Sequence, residues 1–210
     1  MTGTGWFETH ARDYDAWFDT HRPAFDSERA ALAAVLPAGG RRLEVGCGSG
    51  RFAHALDIPW GIEPAAALAR LARGRGLQVA RARAEALPLG AASLDTLLMV
   101  TVVCFLDDPP GAFRECRRVL RPGGCLVVGL LDAAAPAGRR YLAARRDHPL
   151  YRQARWWPAE TLFTALADFG LTLADCRQTL FADPDRLDRP EPPRPGHGQG
   201  LFVAARLRVA

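Results

Sequence analysis

Leu43-Glu44-Val45-Gly46-Cys47-Gly48-Ser49-Gly50-Arg51-Phe52 is the stretch that decides the fold. The apolar run Leu43 to Val45 reads as a short buried strand, and Arg51 to Leu56 as the start of a helix. Between them glycines stand at every second position, Gly46, Gly48 and Gly50. A strand that ends in such a bend lets backbone pass close to a ligand, because glycine has no Cβ and reaches positive φ freely. The helix start turns unpaired N–H groups toward the loop, which suits a carboxylate or a phosphate. An ordinary tight strand–helix turn is the alternative.

Spacing narrows the ligand. The dinucleotide fingerprint is G-x-G-x-x-G. Here the third glycine comes one residue early, Arg51 stands where that fingerprint needs a small residue, and Glu44 precedes the first glycine by two. A second strand, Ile58 to Glu63, ends in an acid near the distance at which nucleotide-binding α/β folds place a carboxylate for ribose hydroxyls. Favouring the N-terminus of the next helix, Pro64 to Arg73, is the other use of that acid. Leu77 to Ala80 reads as a third strand and Leu94 to Val100 as a strongly apolar fourth. Arg118-Val119-Leu120-Arg121-Pro122-Gly123-Gly124 ends a helix and launches a fifth, Cys125 to Leu131.

Glu44 with the three glycines, Glu63, the segment Ala84-Glu85-Ala86-Leu87-Pro88, and R-V-L-x-P-G-G at 118–124 together resemble the class I S-adenosylmethionine-dependent methyltransferases. The chain looks like a small prokaryotic, type 11-like branch of that family, with the resemblance running over roughly Ala38 to Asp132. It implies a Rossmann-like, doubly wound α/β fold with a seven-stranded, mostly parallel sheet whose last strand is antiparallel. It implies S-adenosyl-L-methionine as cofactor and S-adenosyl-L-homocysteine as product. The cofactor residues it implies are Glu44, Gly46, Cys47, Gly48, Gly50, Arg51, Glu63, Pro64, Ala84, Glu85, Thr101 and Val102, with Glu63 taking both ribose hydroxyls. The family often has an aspartate before the alanine of the adenine loop; here Arg83 stands there, so the backbone of Ala84 and Glu85 is expected to serve. Glu85 reads equally well as a solvated loop charge. Asp107-Asp108-Pro109-Pro110 invites comparison with a D/N-P-P-aromatic motif, but Gly111 replaces the aromatic. Asp108 as N-cap with Pro109 at the first helical position accounts for it better.

Outside this core, Trp6, Phe7, His10, Tyr14, Trp17, Phe18 and His21 recur at spacings of three and four, one face of a helix over 5–22. The stripe either docks as core or lids a ligand site, and it would attract a sulfonium through its rings. A further helix is expected from Ser27 to Leu36. The domain reading is therefore a helical lid over 1–37 and a core over 38–210, with a helical cover inserted at about 133–157. His21, Tyr14 and His10 are the candidate general bases. Trp17, Phe18, Cys104, Phe105, Tyr141, Tyr151 and His197 are candidates for the acceptor pocket, although His197 reads as well as a plain loop histidine. Leu171 to Phe181 is expected to be the sixth strand, Asp183 to Pro195 irregular, and Leu201 to Val209 the last strand.

Composition sets the limits. The 210 residues suit one α/β domain, 49% are apolar, and no apolar run is long enough to span a membrane. Met1 to Phe7 lacks a signal-peptide pattern, and the five cysteines form no C-x-x-C pair. A reducing, cytoplasmic setting without a metal site is expected. All 27 basic residues are arginine, which excludes Schiff-base and P-loop lysine chemistry. The net charge of +4 is mild. The expected activity is methyl transfer to an O, N or S atom of a small molecule, with no nucleic-acid or membrane partner, as a monomer or homodimer. The alternatives are an RNA or protein methyltransferase using the basic patch Arg139 to Arg155, and a cofactor-binding module without turnover. A nicotinamide-dependent oxidoreductase is a weaker rival.

Overall fold

The computed structural model describes residues 3–209. Met1, Thr2 and Ala210, the outer ends of the expected lid and core segments, lie outside the described residues. The chain opens with three helices, α1 (Gly3–Thr9), α2 (Ala11–Thr20) and α3 (Arg22–Val35). The single helix expected over 5–22 is broken at His10 and ends at His21, where the backbone leaves helical ψ, at 21° and 43°. The third helix starts earlier than Ser27. Pro23 lies in its first turn, where the missing N–H has no helical partner to lose.

Strands and helices then follow in the order β1 (Arg42–Val45), α4 (Arg51–Ala55), β2 (Trp60–Ile62), α5 (Ala66–Gly74), β3 (Gln78–Ala80), β4 (Leu94–Val100), α6 (Pro109–Val119), β5 (Leu120–Leu131), α7 (Pro136–Ala144), α8 (Ala159–Ala167), β6 (Leu171–Thr179), β7 (Arg194–Pro195) and β8 (Phe202–Val209). They form one sheet in the order β3-β2-β1-β4-β5-β8-β6-β7. β1 to β5 pair in parallel, and β8 runs antiparallel between β5 and β6. The sheet has eight strands, one more than the seven expected. The extra one, β7, is two residues of the proline-rich stretch read as irregular, paired to Arg177 and Gln178. An edge position tolerates its proline, which has no N–H to donate. Glu191 ties the same stretch down: its carboxylate accepts from the Phe181 and Ala182 N–H groups at 2.6 and 3.2 Å.

Alternation along the central strands builds two cores. Leu97 and Met99 of β4 and Leu126 and Val128 of β5 face α6 and α8, where Phe113, Val119, Leu162 and Leu166 are buried. Leu98, Val100 and Val127 face the other way, onto Leu32 and Val35 of α3 and Phe52 of α4. Strands covered on both faces read as continuous apolar runs, as these do. α3 is thus part of a core layer, while α1 and α2 lie across the ends of the strands. The Asp108 N-cap holds as expected, its carboxylate accepting from the Gly111 N–H at 3.1 Å. Strand order reverses between β1 and β4, and in open α/β sheets the ligand crevice lies at such a switch.

Candidate active site

The glycine bend closes β1 at that switch. Gly46 has φ +65°, and a Cβ there would stand 2.4 Å from Val102 Cγ2, so the backbone of one strand end touches the side chain of the next. Gly48 has φ +54° but more room, with the Tyr14 ring 3.5 Å from where its Cβ would be. The Cys47 N–H donates to the Ile62 carbonyl at 3.0 Å, which ties the bend to β2. The Gly48 N–H donates to Glu63 Oε2 at 2.9 Å, and the Ala65 N–H to Glu63 Oε1 at 2.8 Å. Glu63 is buried, and burial raises its pKa against the pull of these two donors. Each of its oxygens keeps a lone pair free.

Above the bend lies a cavity of about 520 Å³. Its floor is made of strand ends: Val45 and Gly46, Val100 to Val102, Leu131 and Leu201. Glu63, Pro64 and Ala82 to Glu85 form one side. Phe7, His10, Tyr14, Trp17 and Phe18 roof it, and Tyr141, Leu150, Tyr151 and Trp156 close the opposite side. Thr101, the first residue past β4, carries a φ of +54° without being glycine. Backbone strain of that kind gathers at functional sites.

The roof is fastened at both ends. Glu8 of α1 accepts from the Ala66 and Ala67 N–H groups at 2.6 and 2.9 Å, capping α5 from outside, and these bonds lower its pKa. Asp15 of α2 accepts from Arg51 at 2.8 Å and from Arg75 at 2.6 Å. Burial alone would raise the Asp15 pKa, but the hydrogen bonds from Arg51 and Arg75 bring it down to about 2. Asp19 adds a second pair to Arg51 at 2.6 Å. Edge-to-face contacts run from Phe7 through Tyr14 and Phe18 to Phe52, with centroids 5.2, 5.4 and 5.8 Å apart.

Of the residues expected at the site, Gly46, Gly48, Glu63, Pro64, Ala84, Glu85, Thr101 and Val102 line the cavity. So do His10, Tyr14, Trp17, Phe18, Cys104, Phe105, Tyr141 and Tyr151. Six do not. Arg51 turns away to Asp15 and Asp19, so it fastens the roof. Glu44 lies within the sheet, 1% exposed, with Oε2 unpartnered. Cys47 packs behind the bend against Gly61, and Gly50 against Ala72 of α5. His21 faces Asp185 at 3.4 Å, outside the cavity. His197 pairs with Glu160 at 3.3 Å and meets the Phe163 ring on the α8 side.

The candidate bases change accordingly. Burial pushes the Tyr14 hydroxyl well above its usual pKa, so it is a hydrogen-bond donor and not a base. His10 stacks on Trp6 at 4.5 Å and its Nδ1 is held at the Trp6 carbonyl, on an exposed rim. Cys104 is raised to about 12 by burial and directs its thiol at the Thr101 carbonyl. The site residue that sequence reading missed is Glu28 of α3. It lines the cavity at 6% exposure, and burial alone raises its carboxyl to about 8. Its signal was present: Phe25, Glu28, Leu32 and Val35 follow helical spacing, so an acid stands in an apolar stripe. Phe52, Arg145, Trp156 and Leu201 also line the cavity and carried no such signal.

A methyltransferase-domain family model matches residues 43–128. An uncharacterised Methanocaldococcus jannaschii protein is 33% identical over 94% of this chain and 96% of its own. An uncharacterised Mycobacterium tuberculosis protein is 41% identical over 83% of this chain, which spans 62% of that longer protein. A crystal structure from Thermotoga maritima superposes with a TM-score of 0.92 at 40% identity, covering 96% of this chain and 97% of that one; it is described as a SAM-dependent methyltransferase, possible histamine N-methyltransferase. The chain belongs to the S-adenosylmethionine-dependent methyltransferases. The residues at the glycine bend fit that cofactor. Gly46 leaves no space for a side chain, and Glu63 presents two free lone pairs beside the bend. Arg83, in place of the family's frequent aspartate, is engaged by Asp107 and lies 3.4 Å from Glu85, so it builds the rim.

Proposed function

We propose that this methyltransferase acts on a small-molecule acceptor, methylating an O, N or S atom inside the cavity. The observation that carries this reading is closure. The roof is latched to the glycine bend through Asp15, Arg51 and Arg75, and Arg145 of the cover pairs with Asp185 on the other side. A chamber of about 520 Å³ with an aromatic lining fits the size and character of small-ligand sites. The same closure supports the lid role for α1 and α2. Free cysteines, four of them buried, support a reducing compartment, so we place the enzyme in the cytoplasm.

In this reading Glu63 accepts from the ribose hydroxyls, one per oxygen. The backbone of Gly46 to Gly48 lies against the amino-acid end of the cofactor, with the Tyr14 hydroxyl as a donor to its carboxylate. Ala84 and Glu85 border the adenine. When bound, the cofactor supplies a methyl group on a positively charged sulfur that serves as the leaving group. The chain's part is to hold the acceptor atom in line and to exclude water, and such positioning is worth roughly 7–11 kcal/mol of a barrier. Titration with S-adenosylhomocysteine followed by an acceptor panel tests the proposal. Turnover on small molecules is expected. Cofactor binding without turnover on any of them would favour a binding module. Turnover confined to RNA, and lost when Arg139, Arg140 and Arg146 are neutralised, would favour the nucleic-acid alternative.

A further inference from the structure

Glu28 stands apart from the groups assigned to the cofactor. It rides on α3, which packs against β5, β6 and β8, whereas Glu63 follows β2. The two carboxylates therefore lie on opposite sides of the β1–β4 switch, with the cavity between them. Among the described residues no donor and no cation reaches the Glu28 carboxyl, and burial is the only influence on it. A buried acid without a partner is costly, and a leucine would fit the Phe25–Leu32–Val35 stripe without that cost. Tyr14 and Tyr151 lie near enough to feel its charge, Phe18 and Phe52 share the lining, and aromatic ring faces carry negative potential. The lining arginines are already engaged, Arg145 with Asp185 and Arg83 with Asp107. A cavity end built of an unpaired carboxyl and aromatic faces selects a cation.

We propose that Glu28 binds the protonated nitrogen of an amine acceptor and takes its proton, so that methylation falls on nitrogen. This rests on the small-molecule reading above. An N–H bond of the ammonium breaks, an O–H bond forms on Glu28, and the nitrogen keeps the electron pair that will bond to the methyl carbon. That proton leaves to solvent as the next ammonium enters, so Glu28 is a neutral acid in the empty site below about pH 8 and a carboxylate when it faces the cation. The transfer is within reach because burial has already raised this carboxyl toward the range of amines. Tyr14 of α2 and Tyr151 of the cover are the titratable groups that feel its charge, and burial keeps both protonated. Glu28 is thus assigned a catalytic role at the acceptor end.

The test uses the intact enzyme and three matched probes: a primary arylalkylamine, the alcohol of the same skeleton, and its trimethylammonium analogue. The expected result is methylation of the amine alone. The trimethylammonium probe, which has no proton to give, should bind competitively without turnover. Glu28→Gln should lower kcat/KM for the amine by at least about 100-fold, in the range of a lost general base. It should also weaken the trimethylammonium probe about tenfold and leave the affinity for S-adenosylhomocysteine within about twofold. Glu28→Asp should recover part of the rate. Methylation of the alcohol but not the amine, or undiminished amine turnover in Glu28→Gln, would overturn the assignment while leaving the small-molecule reading intact. A matching fall in S-adenosylhomocysteine affinity would also overturn it, placing Glu28 on the cofactor's own ammonium group. Failure of the unaltered enzyme to bind S-adenosylhomocysteine would refute the cofactor site, and this inference with it.

Discussion

Glu63 ties the glycine bend to the start of the next helix, and in the proposed function it also takes the ribose. Its two oxygens hold the Gly48 and Ala65 N–H groups, and the residue lines the cavity. Charge-assisted hydrogen bonds are worth about 1.5–3 kcal/mol each, so Glu63→Ala should weaken S-adenosylhomocysteine by at least about 100-fold in calorimetry. Gly46 and Gly48 separate two constraints that look alike in sequence. Gly46→Ala adds a clash with Val102 to backbone strain, whereas Gly48→Ala adds strain alone. Denaturant titration should therefore find Gly46→Ala the more destabilising, by about 1–3 kcal/mol, and equal losses would contradict this close approach. Glu28 makes a pH prediction. Its pKa rises from 4.5 unfolded to about 8 folded, so the folded state binds the extra proton between those values. Stability from this group is full below pH 4.5 and falls as pH rises toward 8, with a slope approaching about 1.4 kcal/mol per unit. Glu44 and Glu63 shift the same way and leave a residual slope. Glu28→Gln should flatten the curve from pH 5 to 8; a slope parallel to the unaltered protein would count against the buried carboxyl. At this scale the bend and its bond to Glu63 were legible because their spacing is local, although Gly50 packs on Ala72 and not on the cavity. Arg51 was misread because its partners lie 36 and 32 residues upstream.

At the scale of elements, the aromatic stripe shows what periodicity gives and withholds. Spacings of three and four identified the helical face, yet nothing local marks the break at His10; the break at His21 is marked by Pro23 in the first turn of the next helix. The break follows docking: α1 turns so that Glu8 caps α5, and α2 so that Asp15 meets Arg51 and Arg75. Asp15→Ala removes the shared acid of that latch. Hydrogen exchange should then rise across residues 3–20, and S-adenosylhomocysteine affinity should fall about tenfold. Unchanged exchange would show that the ring contacts alone hold the roof. In the unaltered protein, bound S-adenosylhomocysteine should protect residues 6–21 from proteolysis. Indifference to ligand would assign the stripe to core packing. The two-residue β7 was not readable in advance, since its pairing depends on Glu191 fastening the proline-rich stretch to Phe181 and Ala182.

At the scale of the whole molecule, the sheet was legible from its buried strands. Val45, Leu97 to Val100 and Leu126 to Val128 are apolar because both faces are covered, and Pro122 to Gly124, read as a turn before the fifth strand, lie within β5 where its register with β4 shifts. The cavity was less legible, because segments far apart in sequence enclose it: the roof, the ends of the strands, the cover, and Glu28 from a core helix. Ligand bound in such a chamber stabilises the native state. S-adenosylhomocysteine at a hundredfold its dissociation constant should add about 2.7 kcal/mol and raise Tm by several degrees, while NADH should not. The most direct test is calorimetric titration of S-adenosylhomocysteine into the unaltered protein and into Glu63→Ala. One-to-one binding that Glu63→Ala weakens by at least about 100-fold is the predicted result; equal affinity in both proteins, or heat from NADH and none from S-adenosylhomocysteine, would contradict it.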